Sequence, residues 1–172
     1  AARERREVER LKTFESFFHL APVPLVFTTR WTITSVNEAF RRLFRLPLSG
    51  PLDTEEFWYQ IVPDPQERQA VRSALDGQLL QLKNPGDTMP PTEFRLRGPD
   101  NHTMYLLVAG RQLHSGVLVS LHDIGPQRQL REQLRDSEER YRHAMSASRD
   151  GIWDWNLVKD RVHFSPSYLE ML

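Results

Sequence analysis

The side chains most able to do chemistry are sparse in this chain. There is no cysteine, which excludes a thiol nucleophile, a thiolate zinc site, an iron–sulfur cluster and a disulfide framework. Among the six histidines, His102 and His114 fall in or beside turns, His122 ends a strand-like run and is better suited to structural hydrogen bonding than to ligation, and His143 lies in a charged helical run. The carboxylates Glu55, Glu56, Asp64 and Glu67 sit at helix starts, where they favour the helix dipole and need no acid/base partner. His-Glu-x-x-His, Gly-x-Ser-x-Gly and Gly-rich phosphate loops do not occur in the sequence. No catalytic or metal-ligating residue is therefore assigned. What remains is an aromatic set, Phe27, Phe40, Phe57, Trp58 and Phe94, able to line a pocket for a small organic molecule or simply to form core, with Thr34 and Ser35 as polar contacts. The pocket is expected to be small or collapsed.

The elements that must position these residues follow from periodicity. Residues 1–21 contain neither Gly nor Pro before Pro22, and Val8, Leu11, Phe14, Phe17, Phe18 and Ala21 recur at helical spacing. This amphipathic helix stops at Pro22 and Pro24. Leu25–Thr28 and Ile33–Val36 are β-branched and aromatic runs around Arg30-Trp31 and predict a hairpin. Asn37 caps a helix at Glu38–Arg45, and helices at Thr54–Val62 and Pro65–Leu82 follow. After a loop spanning Asn84–Pro91, three strands are expected at Thr92–Arg97, Thr103–Arg111 and Gly116–Asp123. The second of these is apolar on both faces, so the middle helices should cover one side and the N-terminal helix the other. The fold class is α+β, with a five-stranded antiparallel sheet.

A long helix then begins near Pro126. Five arginines and four acids alternate between residues 127 and 143, while Leu130, Leu134, Tyr141 and Ala144 mark a seam that Ser137 interrupts. The pattern fits a helix pair. With 23 basic and 23 acidic residues the chain is formally neutral, and interleaved charges offer no field to gather nucleic acid. No apolar run approaches the ~20 residues of a membrane span, and no signal-peptide stretch follows the basic N-terminus. A cytoplasmic protein without membrane or nucleic-acid contact is expected.

Four motifs in order carry a family resemblance: Ser35-Val36-Asn37-Glu38-Ala39-Phe40, Val62-Pro63-Asp64-Pro65, Glu93-Phe94-Arg95-Leu96-Arg97 and Leu121-His122-Asp123-Ile124-Gly125. Over about residues 14–125 the chain resembles a PAS domain. Arg30-Trp31 replaces the Asp-Gly turn usual in that family, and Gly125 replaces the Thr of the closing Asp-Ile-Thr motif. Residues 137–166, through Ser137-Glu138-Glu139-Arg140-Tyr141-Arg142, Gly151-Ile152-Trp153-Asp154-Trp155-Asn156 and Phe164-Ser165-Pro166, resemble the opening of a second such domain. The organisation implied is a helix (1–21), a PAS domain (22–125), a signalling helix (126–148) and the truncated start of a second PAS domain (149–172), with residues 150–172 either disordered or packed on a neighbouring copy.

The resemblance implies a sensory module of a bacterial multidomain protein. Cysteine-dependent flavin photochemistry and a thioester-linked chromophore are excluded by composition, and the helix that would carry an axial haem ligand, Pro65–Leu82, holds no His. No cofactor is predicted, though a non-covalent flavin or small organic ligand stays open. Asp123, Ile124 and Gly125 are the implied relay between sheet and outgoing helix. A homodimer through Leu11, Phe14, Phe18, Leu130 and Leu134 is expected, feeding a downstream output domain of the diguanylate cyclase (GGDEF) type. A cyclic-di-GMP phosphodiesterase or a histidine kinase is the other possible output, and a ligand-free protein-interaction domain the alternative. The fragment itself is not expected to be an enzyme.

Overall fold

The computed structural model describes residues 2–98, 100–147 and 151–171, without the side chains of residues 2–4, 11, 146 and 147. It divides into two units, residues 1–125 and 126–172. In the first, α1 (Ala2–Leu20) precedes β1 (Leu25–Thr29) and β2 (Thr32–Val36), then α2 (Glu38–Leu43), α3 (Thr54–Ile61) and α4 (Pro65–Leu79), and finally β3 (Thr88–Arg97), β4 (Thr103–Gln112) and β5 (Val117–Asp123). The strands form one sheet in the order β2-β1-β5-β4-β3, with every neighbouring pair antiparallel.

Three short helices start where a side chain can replace the missing intrahelical acceptor. Asn37, Asp53 and Asp64 accept the N–H of Phe40, Glu56 and Glu67 at 2.9, 2.9 and 2.7 Å. Asn37 does more than cap. Its Oδ1 also accepts the Leu25 N–H at 2.9 Å, while its Nδ2 donates to the Val23 carbonyl at 2.8 Å and the Ala21 carbonyl at 3.3 Å. Fully buried, it clasps the start of β1 to the start of α2.

Strand alternation sorts the sheet into two faces. Val26, Leu106, Val108, Val119 and Leu121 are buried with Phe40, Phe44 and Phe57 from the helices. The three rings sit 4.8–5.4 Å apart in tilted and edge-on pairs, the arrangement their quadrupoles prefer. Burying each such side chain contributes about 1.5–3 kcal/mol.

Two expectations about this unit are corrected. The loop proposed for Pro90-Pro91 belongs to β3, which runs from Thr88; the ladder steps from Met89↔Gly110 to Thr92↔Val108, a bulge on the edge strand, where prolines without N–H donors are tolerated. Nor does α1 cover the second sheet face. It meets the domain through α2, at the end where Phe18 and Ala21 are half-buried, and Phe14, Phe17 and Leu20 stay 65–73% exposed. Leu25, Phe27, Leu107 and Leu118 on that outer sheet face are half-buried.

The second unit holds most of α5 (Gly125–Ala147), a hairpin of β6 (Trp153–Asn156) and β7 (Arg161–Phe164), and α6 (Pro166–Glu170). Residues 151–171 carry regular structure rather than disorder, and the reason is local. The buried Ser165 accepts the N–H of Ile152 at 3.0 Å and of Tyr168 at 3.2 Å through its hydroxyl, and its own N–H donates to the Ile152 carbonyl at 2.8 Å. Asn37 makes the same three bonds with Leu25 and Phe40. One clasp design therefore ties a strand start to a helix start in both units. Phe164 also stacks on Tyr168 at 5.0 Å.

Candidate functional site

A cavity of about 100 Å³ lies between the sheet and helices α2–α4. Of the five aromatic candidates, Phe40, Phe57, Trp58 and Phe94 line it. Phe27 does not: Val26 and Thr28 line the cavity, so the residue between them faces the opposite side of the strand, with its ring near Gly116. Ser35, register partner of Phe27, and the exposed Thr34 are outside it too. Thr34 Oγ1 instead pairs with Thr29 Oγ1 at 3.3 Å. The lining residues that sequence reasoning missed include Trp31, Ile33, Phe44, Arg72 and Asp76.

The two charged residues on the lining, Arg72 and Asp76, are both on α4. Arg72 makes a bidentate pair with Glu55, both N···O distances 2.8 Å, and its guanidinium lies 5.7 Å from the Trp58 ring. That hydrogen bonding holds the Glu55 carboxyl below its ordinary value and raises the Arg72 guanidinium above its own. Asp76 goes the other way: partial burial raises its carboxyl, against the opposing pull of Arg72. Lined almost wholly by hydrocarbon, the cavity suits a small apolar molecule. For scale, a dry cavity of about 150 Å³ holds benzene, so a space of about 100 Å³ is too small for the ring system of a flavin.

At the other end of β5, the sheet passes into α5 with one residue between them. Ile124 is buried and its N–H donates to the Tyr105 carbonyl at 2.9 Å; the Gly125 N–H donates to Asp123 Oδ1 at 2.9 Å. The missing Thr hydroxyl of the closing motif is thus answered by a backbone donor. Val119 and Leu121 of the same strand line the cavity, so cavity and helix start share one rigid element.

The remaining candidates are apart from this site. His122, His114 and His102 are exposed, and none of them lines the cavity. Glu56 and Glu67 supply the capped N–H groups of α3 and α4. Among the described residues no three His, Asp or Glu side chains are grouped to hold a metal ion, and no helix is long and apolar enough to cross a membrane. Of the expected dimer residues, Phe14, Leu130 and Leu134 are exposed and Phe18 is half-buried. The Leu11 side chain lies outside the described ones.

The PAS domain family model matches residues 12–78, from within α1 to the last turn of α4, and so spans the clasp, the aromatic cluster and the Arg72–Asp76 wall. The five-stranded domain is a PAS domain. Its solved structural neighbours include the PAS domain of an HTR-like protein from Haloarcula marismortui, 19% identical, covering 72% of this chain and 98% of that one with a TM-score of 0.49. A PAS domain from Colwellia psychrerythraea is 14% identical over 66% of this chain and 96% of that one, TM-score 0.49. A domain of a sensory box sensor histidine kinase/response regulator from Geobacter sulfurreducens is 12% identical over 66% and 94%, TM-score 0.47. No curated protein matches the chain significantly.

Proposed function

We propose that this PAS domain is the input and dimerisation module of a cytoplasmic bacterial signalling protein, with the apolar cavity as its input and α5 as its output. The observation that carries this reading is the continuity of β5: Val119 and Leu121 touch the cavity, and Ile124 and Asp123 anchor the first residue of α5. A displacement of that strand by an occupant shifts the helix start with it, the kind of two-state packing change that paired helices amplify. Asp123, Ile124 and Gly125 are the relay residues in this scheme.

Dimerisation is supported by two apolar stripes left exposed in the single chain. Phe14 and Phe17 on α1 and Leu130, Leu134 and Tyr141 on α5 are each at least 59% exposed. On α5 they follow the four- and three-residue steps of a two-helix seam through Ser137 and Ala144. The Ser165 clasp, with the exposed Trp153, Trp155 and Phe164 beside it, supports residues 149–172 as the opening of a second PAS domain. The output domain proposed beyond it is a diguanylate cyclase, on the family resemblance alone. Light scattering tests the dimer: the parent chain should run at twice its monomer mass of 20.2 kDa, and Leu130→Glu with Leu134→Glu should return it to the monomer. A monomeric parent chain at high concentration contradicts the relay.

A further inference from the structure

Trp31 sits in a backbone conformation that its side chain disfavours. It and Arg30 form the two-residue turn between β1 and β2, and both have positive φ, +70° and +47°. Turns of this kind favour Asn or Gly, which accept a left-handed backbone readily, whereas a bulky aromatic residue is strained there. Strain of this sort persists where the surroundings hold it in place, and it concentrates at binding and switching sites.

The surroundings of Trp31 say what that position does. Beside the inner cavity lies a second space, a surface groove of about 430 Å³ bounded by the β1–β2 turn, the end of α4 and the β4–β5 turn. Only three residues line both spaces, Thr28, Trp31 and Leu79. Thr28 belongs to a sheet strand, and Leu79 is buried in the core. Trp31 is the one partition member that is substantially exposed, at 41%, and it hangs from a turn. Turning its indole aside opens the groove onto the cavity without disturbing the sheet or α4.

We infer that Trp31 is the gate and size filter of the cavity, and that the ligand it admits is an uncharged, mainly apolar molecule of about benzene size or smaller, entering by the groove. This rests on the cavity being an input site. The size limit follows from the volume. At about 100 Å³ the space is smaller than the ~150 Å³ cavity known to take benzene, so benzene needs the small expansion that a moving indole provides, and a two-ring aromatic is refused. The charge limit follows from the lining, because an ion would lose its hydration there and the charged groups at the wall are only the Glu55-paired Arg72 and Asp76, beside Thr28 and two indoles that cannot replace a hydration shell.

The test is an NMR titration of the full chain with benzene and, separately, with naphthalene, following the methyl groups of Val108, Val119 and Leu121. In the parent protein benzene should shift these signals and naphthalene should not. Trp31→Gly, which also suits the positive φ, should bind naphthalene and exchange benzene at least tenfold faster. Trp31→Phe, which keeps a ring on the turn, should stay selective. If Trp31→Gly binds benzene with unchanged exchange and still refuses naphthalene, the gate is wrong while the input site stands. If neither the parent nor Trp31→Gly responds to saturating benzene, the input site itself is wrong, and the gate falls with it.

Discussion

Replacing Asn37 by Ala should cost the PAS domain about 3 kcal/mol. The figure comes from the clasp. Loss of a helix N-cap costs about 1 kcal/mol, and it is the Phe40 N–H, in the core, that loses its acceptor. A second donor, the Leu25 N–H, is left without its 2.9 Å partner in a part-buried position, worth about 1–3 kcal/mol. The carbonyl of Val23 is near the surface and can be hydrated, so it adds little. Against the 5–15 kcal/mol typical of a domain, this leaves a marginal fold. Asn37→Ser makes the comparison sharper, because Ser165 already performs the acceptor role with a hydroxyl in the second unit. It should recover roughly half of the loss, keeping an acceptor while losing the two Nδ2 donations. The assay is urea unfolding in a Trp153→Phe, Trp155→Phe background, where fluorescence reports only on Trp31 and Trp58 of the PAS domain. A loss below about 1 kcal/mol for Asn37→Ala, or equal losses for Ala and Ser, would refute the clasp.

Gly116 and Asp76 each constrain the fold in a measurable way. At Gly116 an added Cβ would lie 2.3 Å from the Thr28 carbonyl oxygen and 2.8 Å from the Phe27 ring; Gly116→Ala should force β1 and the β4–β5 turn apart and cost about 2 kcal/mol in the same unfolding assay, and an unchanged midpoint would contradict the tight approach. Asp76, whose carboxyl is raised by burial, makes ionisation unfavourable to the fold. Its penalty is complete above the folded value and gone below the unfolded one, so Asp76→Asn should stabilise at pH 7 and lose that advantage as pH falls through the carboxylate range. Thermal melts at pH 7 and pH 3 check this, and a stabilisation that grows towards pH 3 would reverse the sign.

The element order was legible because hydrophobic period changes cleanly at Pro22, Asn37 and Asn84, and because Asn37, Asp64-Pro65 and Gly98 punctuate it in recognisable ways. Faces were harder. In β1 both parities are occupied by suitable residues, Leu25 and Phe27 against Val26 and Thr28, and only pairing with Val119 decides that Phe27 faces out. The Pro90-Pro91 pair reads as a loop until β3 is found at the sheet edge, where missing donors are harmless. Arg72 and Asp76 look like ordinary solvated helix residues, since nothing local says that α4 turns that face to a cavity. Trp31 left a signal, a bulky pair in place of Asp-Gly, but its side of the turn is a tertiary fact. The stripe of α1 was expected to lie on the outer face of its own sheet, and Phe14, Phe17 and Leu20 stay exposed instead.

The relay is tested most directly by disulfide mapping along α5, for which the absence of native cysteine is ideal. Single cysteines placed at Leu130, Leu134, Ser137, Tyr141 and Ala144, and at Glu132, Asp136 and Glu139 as controls, are oxidised and resolved by mass. Paired helices predict efficient cross-linking at the first five positions and little at the other three, with the pattern shifting along or around the helix when benzene is present. Weak, position-independent cross-linking would mean that α5 does not pair, and the output end of the account would fail.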